Sequence, residues 1–584
     1  MPYVIATAGH VDHGKSTLVK ALTGMEPDRW EEEQQRGLTI DLGFVWAKLD
    51  TLDVAFVDVP GHERFIANML AGVGPAPAVL FVVAADEGWM AQSRDHAAAI
   101  DAFGISNVVI AMTRADRADA QRRDEVRAEI AREVAGTTLE GAPIVEVSAR
   151  SGEGIDALVA ACAEMLRAAP APDPSARVRF WVDRAFSVKG AGTVVTGTLT
   201  AGTIRPGDTL RLGERDVKVR GLQSEDTPID KAIPAMRVAL NLRDISAEEV
   251  RRGDALCTPE AWEHTSLLDA HITTGAPATA LPHEVHAHIG TAQVTAKIRP
   301  FGEHYARLIL ERPLPVTLGD TLALRAPGAQ QILAGVRAVD VDPPELPRRG
   351  DGRRRAEELP TLPNLEHEIA RRVAVTPAHL ARLGFPVDGG PPQGTIEFAG
   401  YWIRATQVME WKRELLRAVD EHTRADPLSA GLSAGAAVDQ LGLPDPKLLA
   451  LAAAAAKLTL ADGVISTAAA VAPGIASLEA HLRRAPFQAP ESADLERWQL
   501  GAKELAAAER AGRIIRLGAG RDIVLLADAP THAAQLLRPL DAPFTASQAR
   551  KAWDTSRRVA IPLLEHLDAS GVTRRVDGTA RVLR

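Results

Sequence analysis

Cysteine is almost missing from this chain: Cys162 and Cys257 are the two among 584 residues. They stand far apart, which argues against a disulfide framework or a cysteine-built zinc site and fits a reducing compartment. Also lacking is an uninterrupted apolar run long enough to span a bilayer. The alanine-rich stretch from Leu448 to Ala461 is broken by Lys457 and reads as a packed helix. The first apolar segment, Tyr3–Thr7, is too short for a secretory signal core and has no cationic lead. Nor is there an excess of positive charge. The formal net charge is -9, so any nucleic-acid site has to be a local basic patch. These absences predict a cytoplasmic protein with no membrane partner; a monomer is expected. The length predicts several domains, and an apolar fraction of 46% is enough to build their cores.

Short β-branched or apolar runs at Tyr3–Thr7, Val54–Val57, Val79–Val83, Val108–Met112 and Ile144–Val147 alternate with segments of helix length. That is the pattern of a mostly parallel sheet covered by helices, an α/β domain over 1–170. Ala168 to Pro174 is a proline-dense linker. Short strands with glycine and proline turns follow, predicting two β-barrel domains at 175–262 and 263–345. A second linker, 346–361, holds the basic run Arg348 to Arg355. Beyond it, helical stretches recur with strand pairs such as Thr395–Phe398 with Tyr401–Arg404, and Ile514–Leu517 with Asp522–Leu526. They predict tandem winged-helix (α+β) modules at 362–425, 426–473, 474–530 and 531–584.

The chemistry begins at Gly9-His10-Val11-Asp12-His13-Gly14-Lys15-Ser16-Thr17. Its spacing is that of a P-loop, and it sits between a strand and a helical run as that motif requires. The glycines let backbone N–H groups close on phosphate oxygens, Lys15 adds a cation, and Ser16 offers a hydroxyl to Mg²⁺. Asp58, at the end of a buried strand in Asp58-Val59-Pro60-Gly61-His62, can hold the Mg²⁺ shell. Gly61 can present its N–H to the γ-phosphate. Thr39, in Arg36-Gly37-Leu38-Thr39-Ile40, is a further metal and phosphate ligand on a polar switch loop. The ligands predicted are therefore GTP or GDP with Mg²⁺. Base selection falls to Thr113-Arg114-Ala115-Asp116, where guanine sites have Asn-Lys-x-Asp, and to Ser148-Ala149-Arg150. His62, directly after the Asp-x-x-Gly element, is placed to orient the attacking water. Val11 and Ile40 are either an apolar gate over His62 or ordinary packing.

Gly9–Ser16, Arg36–Ile40 and Asp58–His62 together resemble the translational GTPases. Lys189-Gly190-Ala191-Gly192-Thr193-Val194-Val195-Thr196-Gly197-Thr198 and Gly202–Asp208 resemble their second domain. Thr39–Phe44, Asp58–Phe65 and Trp181–Ser187 favour the bacterial selenocysteine-specific elongation factors, the SelB type, as does a tail of more than 200 residues. The resemblance implies a GTPase that carries selenocysteyl-tRNA to the ribosome at UGA codons, with a tail that grips a hairpin in the mRNA. It implies that 175–262 forms the aminoacyl pocket, with Arg184 and Arg237 against the selenolate and Asp183 near the α-amino group. It assigns tRNA contact to 263–345 and the mRNA hairpin to 531–584. Arginine suits that pocket because selenocysteine is largely ionised at neutral pH and serine is not.

Thr531 to Arg584 has nine Lys and Arg against five Asp and Glu, a local charge of +4. Ala560, Leu563, Leu564 and Leu567 give one apolar helix face, which Thr555 or Ser556 can cap and Gly571 can end, with a kink expected at Pro562. Val576–Thr579 reads as the turn of a wing. Arg550, Lys551, Arg557, Arg558, Arg574 and Arg575 form the candidate RNA patch, clustered at the helix start and wing base. Two other readings stay open: a GTPase that carries another tRNA, and a GTP-switched nucleic-acid-binding regulator.

Overall fold

The strand Ala78–Ala84 is buried at all of its positions, and its side chains supply two different cores. Val79, Phe81 and Val83 enter one, with Met69, Ile100 and Ile130; Leu80 and Val82 enter the other, with Leu18, Phe56 and Leu158. Strand side chains alternate between faces, so an unbroken apolar run makes sense only in a sheet covered on both sides. The computed structural model describes residues 2–27, 39–190, 192–328, 331–348, 350–359, 363–426, 429, 431–466, 472, 474–578 and 580–584. Arg36–Leu38, Ala191 and Thr579, used in the motifs above, lie outside the described residues. None of the described helices is long and apolar enough to cross a membrane.

The chain divides into two compact units, Met1–Glu368 with Thr376–Gly390, and Ile369–Val375 with Pro391–Arg584. The first opens with a six-stranded sheet of β1 (Pro2–Gly9), β2 (Gly43–Leu49), β3 (Leu52–Asp58), β4 (Ala78–Ala84), β5 (Val108–Thr113) and β6 (Ile144–Glu146). The spatial order is β2-β3-β1-β4-β5-β6. Around the sheet run α1 (Lys15–Thr23), α2 (Ile66–Val73), α3 (Ala91–Phe103), α4 (Ala120–Val134) and α5 (Ile155–Ala168). Five strands are parallel and fall on the runs read from the sequence; β2, which that reading missed, is an antiparallel edge on β3. The carboxyl ends of β1, β3 and β5 therefore gather at one edge of the sheet, where ligands of such sheets bind.

Next comes a seven-stranded sheet of β7 (Arg179–Val188), β8 (Gly192–Leu199), β9 (Thr209–Leu212), β10 (Arg215–Ser224), β11 (Thr227–Ile229), β12 (Met236–Leu242) and β13 (Ala255–Cys257). Here β9 pairs with both β13 and β10, so the sheet turns back on itself. A closed six-stranded barrel follows, in the order β14 (His264–Gly275), β17 (Tyr305–Pro315), β16 (Ala292–Pro300), β15 (Glu284–Ile289), β18 (Thr321–Arg325) and β19 (Ile332–Asp340). The barrel meets α3 closely. Thr321 Oγ1 donates to the Phe103 carbonyl at 2.9 Å. A Cβ on Gly335 would lie 2.6 Å from Ala102 Cα, so only glycine fits.

Residues 346–361, expected as a linker, contain a helix, α6 (Asp351–Glu358). Its Arg355 is buried. Arg355 Nε donates to Asp269 at 2.9 Å, and its Nη2 reaches Asp340. Arg307 binds Asp269 from the other side, at 2.7 and 3.0 Å. Leu359 and Ala356 add an apolar contact with Phe301 and Val339.

In the second unit, four small sheets share two cores. Strands Ala374–Val375, Thr395–Phe398 and Tyr401–Arg404 form one sheet; Leu432–Ser433, Thr459–Ala461 and Val464–Ser466 form the next. Both rest on one core around Trp411, Leu415, Leu449 and Ile465. The pair Ile514–Leu517 and Ile523–Leu526, and the sheet of Phe544–Thr545, Thr573–Arg575 and Ala580–Leu583, rest on another around Leu482, Leu525, Trp553 and Leu563. The alanine-rich helix is shorter than the sequence suggests. It spans Leu449–Ala456 and stops where Lys457 turns left-handed at φ 57°, and Thr459–Ala461 is a strand. The helix Arg557–Ala569 continues through Pro562 and buries Ala560, Leu563, Leu564 and Leu567.

Candidate functional site

The loop between β1 and α1 has a shape that its glycines permit. Gly9 has φ +129°, and a Cβ there would sit 2.2 Å from the Val82 carbonyl oxygen. Gly14 starts α1 at φ 85°. Lys15 folds back over the loop, donating to the Gly9 and His10 carbonyls at 3.1 and 2.8 Å. Gly61 closes over it: a Cβ at Gly61 would lie 2.4 Å from Lys15 Nζ and 2.6 Å from Val11 N. Thr17 is exposed on the first turn of α1.

Three oxygen donors from three segments meet beside Lys15. Ser16 Oγ donates to Asp58 Oδ2 at 2.6 Å and lies 3.1 Å from Thr39 Oγ1. Thr7 donates to Asp58 Oδ1 at 2.7 Å and accepts from Val59 N at 3.1 Å, which fixes the carboxylate. Two hydroxyls and a carboxylate are hard ligands, the set that suits Mg²⁺ together with phosphate oxygens.

Helix α3 braces the same loop through residues that the sequence reading missed. Gly9 N donates to His96 Nδ1 and Val11 N to Gln92 Oε1, each at 3.0 Å. His96 is fully enclosed, and burial pushes its pKa down to about 3. His13 is also enclosed; burial lowers it to about 4, with His10 adding to the effect. His13 Nε2 lies 3.4 Å from Glu87, but a neutral imidazole makes this a weak contact and not an ion pair. His10 is lowered too, by burial first and Lys15 second. Both enclosed imidazoles are thus neutral acceptors at physiological pH. Asp12 is exposed, with φ 62°.

His62 is half-buried at the start of a short turn, its Nδ1 accepting from Arg64 N at 3.2 Å. Val11 and Ile40 are each half-buried. Across the loop, Thr113 Oγ1 donates to the His13 carbonyl at 2.6 Å and so ties β5 to the phosphate loop. Arg114 has φ 54° and binds Asp86, Glu87 and the Asp12 carbonyl. Asp116 is exposed, and a bond to the Ser148 hydroxyl holds its carboxyl below the ordinary range. Ser148 is buried, Ala149 half-buried and Arg150 exposed.

A cavity of about 530 Å³ lies between strands β1–β3 and the sheet of β7–β13; Phe44, Trp46, Arg184, Phe186, Thr196 and Arg237 help to line it. The Arg237 guanidinium stacks 3.3 Å above the Phe44 ring centroid, with Arg184 at 5.1 Å. Both arginines face acids. Asp183 binds Arg237 through both oxygens and accepts from Thr196 at 2.6 Å. Asp183, expected near an α-amino group, is instead buried behind Arg237 and does not line the cavity. Arg184 donates to Asp41 Oδ2 at 3.0 Å and to the Leu42 carbonyl at 2.6 Å. Burial raises the Asp41 carboxyl, but Arg252 and Arg184 outweigh it and the net shift is downward.

The six tail cations fall into two groups. Arg550, Lys551, Arg557 and Arg558 surround the turn between the helices Ala546–Ala552 and Arg557–Ala569. Arg575 sits at the far end of the second helix, 3.6 Å from Asp568, roughly 16 Å along the axis from Arg557. Arg574, Arg575 and Arg584 line a cleft there with Glu565 and Asp568. The cap differs from expectation as well. Ser556 precedes the helix without a side-chain bond, while Thr555 donates to the Phe487 carbonyl.

Models of known families match in four places along the chain. "Elongation factor Tu GTP binding domain" covers residues 3–168 and "Elongation factor Tu domain 2" covers 192–257. "Selenocysteine-specific elongation factor, beta-barrel domain" covers 269–345, and "Elongation factor SelB, winged helix" covers 535–583. The selenocysteine-specific elongation factor of Escherichia coli (strain K12) is 37% identical over 419 residues, 71% of this chain and 65% of that protein. Elongation factor Tu 2 of Streptomyces avermitilis is 31% identical over 364 residues, 56% of this chain and 93% of that one. A crystal structure of a bacterial selenocysteine-specific elongation factor aligns over 100% of both chains, with a TM-score of 0.79 and 25% identity. The chain spans less than two thirds of the length of the curated selenocysteine-specific relatives it matches.

Proposed function

Because the chain belongs to the translational GTPases, and among them to the selenocysteine-specific elongation factor family, we propose that it is a GTP-driven carrier that delivers selenocysteyl-tRNA to the ribosome, while its tail holds a hairpin of the mRNA. The observation that carries this reading is the pair of arginines stacked on Phe44 in a cavity beside the GTPase domain. A selenolate entering there meets two guanidiniums; a serine hydroxyl offers them no charge. Asp183 then acts behind the surface, fixing the Arg237 fork. In this reading the sheet of β7–β13 is a second barrel, and the four small sheets of the tail are winged-helix modules in tandem. The protein works as a cytoplasmic monomer.

The nucleotide chemistry follows from the loop. Lys15 exchanges its two carbonyl partners for the β- and γ-phosphates, and the loop amides line the phosphate path. Ser16, Thr39 and Asp58 would hold Mg²⁺, which would neutralise charge on the phosphate oxygens. The Gly61 N–H meets the γ-phosphate, and His62 orients the attacking water. Asp116 accepts from the guanine ring, with Ser148, Ala149 and Arg150 beside it. Thr113 does its work on the loop and not on the base, since its hydroxyl is given to the His13 carbonyl. Arg114 closes the base pocket from the side, held by Asp86 and Glu87.

The test is a paired titration with a non-hydrolysable GTP analogue present. One tRNA is charged either with selenocysteine or with serine. Strong preference for the selenocysteyl form, weakened by Arg184→Ala or Arg237→Ala, is expected. Equal binding would reject the selenolate pocket, and binding of neither would reject the carrier.

A further inference from the structure

Arg252 stands just before β13 and makes three contacts at one distance. Its Nη2 donates to Asp41 Oδ1, its Nη1 to Asn68 Oδ1 and its Nε to the Asp183 carbonyl, each at 2.8 Å. Those three partners belong to different parts of the machinery. Asp41 lies two residues after Thr39, which sits on Ser16. Asn68 is on α2, just beyond the Asp58–His62 element, and its Nδ2 donates to the Ile40 carbonyl at 3.0 Å. Asp183 holds Arg237, and Asp41 itself holds Arg184. Polar contacts and the short backbone stretch Thr39–Asp41 therefore join the Ser16–Thr39–Asp58 cluster to both arginines of the cavity.

We propose that Asp41 and Arg252 are positioning residues that make the aminoacyl cavity depend on the nucleotide bound. The proposal rests on the carrier reading above. Two residues of extended chain reach at most about 7 Å, so while Asp41 is anchored Thr39 stays within that distance of it, and a larger movement of the segment away from Ser16 pulls Asp41 with it. Departure of Asp41 strips Arg184 of its carboxylate and Arg252 of one of its three anchors. Arg184 then loses one of the two contacts that aim it at Phe44, and the β7–β13 sheet loses both of its arginine ties to Asp41. A ligand shifts such an equilibrium only through contacts that differ between the two arrangements. Here the differing contacts are those of Asp41.

Affinity for selenocysteyl-tRNA, measured on the full chain with a non-hydrolysable GTP analogue and separately with GDP, tests this. Asp41→Asn and Arg252→Ala are each expected to lower affinity in the analogue form about tenfold or more and to change the GDP form by about twofold or less. Asp41→Glu restores part of the loss, and the double variant loses no more than the worse single one. Equal losses in both nucleotide forms, or no loss with the analogue, would overturn the proposal. If the unmodified chain binds seryl- and selenocysteyl-tRNA equally, the selenocysteine reading fails, and the Asp41 comparison is then read on the seryl form with the same two outcomes.

Discussion

The histidine at position 62 caps the following turn through Nδ1, and the proposed mechanism gives its other nitrogen, Nε2, the water near the γ-phosphate. His62→Ala exposes one surface amide, at a cost of about half a kcal/mol. It is expected to keep GTP affinity while ribosome-stimulated hydrolysis falls by about 100-fold or more; normal stimulated turnover in a single-round assay would remove His62 from the mechanism. Thr113→Val keeps the shape but leaves the His13 carbonyl without its 2.6 Å donor. A lost buried bond of this kind costs about 1–3 kcal/mol, so GDP should leave faster, as a fluorescent-nucleotide chase would show. The enclosed histidines set a pH dependence. His96 has a folded pKa of about 3 against an ordinary 6.5, so the unfolded chain takes up its proton first. Stability from this group is complete above pH 6.5 and is lost as pH falls toward 3. Thermal unfolding between pH 7.5 and 5 should show it, and His96→Gln, which keeps an acceptor for Gly9 N, should flatten the slope. The loop's own residues were legible because spacing alone marks a P-loop. Gln92 and His96 were not: they lie more than 80 residues along the chain, and nothing local distinguishes them from any polar helix face.

Elements differ in how much of themselves they declare. The helix Arg557–Ala569 was readable because Ala560, Leu563, Leu564 and Leu567 repeat at helical spacing, and those four are buried. Strand β2 was missed because it follows the switch segment directly, and half of its side chains are only partly covered, as suits an edge. Helix α6 could not be read at all. Asp-Gly-Arg-Arg-Arg-Ala-Glu-Glu has no apolar face, and what holds it is an arginine inserted between two carboxylates 86 and 15 residues upstream, with a small apolar contact at Ala356 and Leu359. Removing one partner of a buried cluster leaves the others uncompensated, so Arg355→Ala should destabilise the barrel by about 3–5 kcal/mol. Hydrogen exchange in β14, β17 and β19 reports it directly; unchanged protection there would show that α6 is merely resting on the surface.

Across the whole molecule, charge is divided unevenly: the chain is -9, yet its last 54 residues are +4. Hairpin RNA binding should therefore be steeply salt-dependent, and Arg574→Ala with Arg575→Ala should reduce the slope of log affinity on log salt by about one to two. An unchanged slope would move the interface to the Arg550–Arg558 end of the helix. Composition could disclose this division but not that the tail's four sheets share two cores, because core sharing depends on contacts between segments that look alike in sequence. The buried arginine of α6 also bears on how the chain can be divided. By pattern the barrel seems finished near residue 345, and a fragment cut there would look whole by its hydrogen-bonded strands. It would nonetheless carry Asp340 without its guanidinium and Asp269 with one of two. A cut after Leu359 keeps both. The heritable module, the piece that can be lent to another protein and still fold, ends 19 residues beyond its last strand, at Leu359 against Asp340, and closes on a charge.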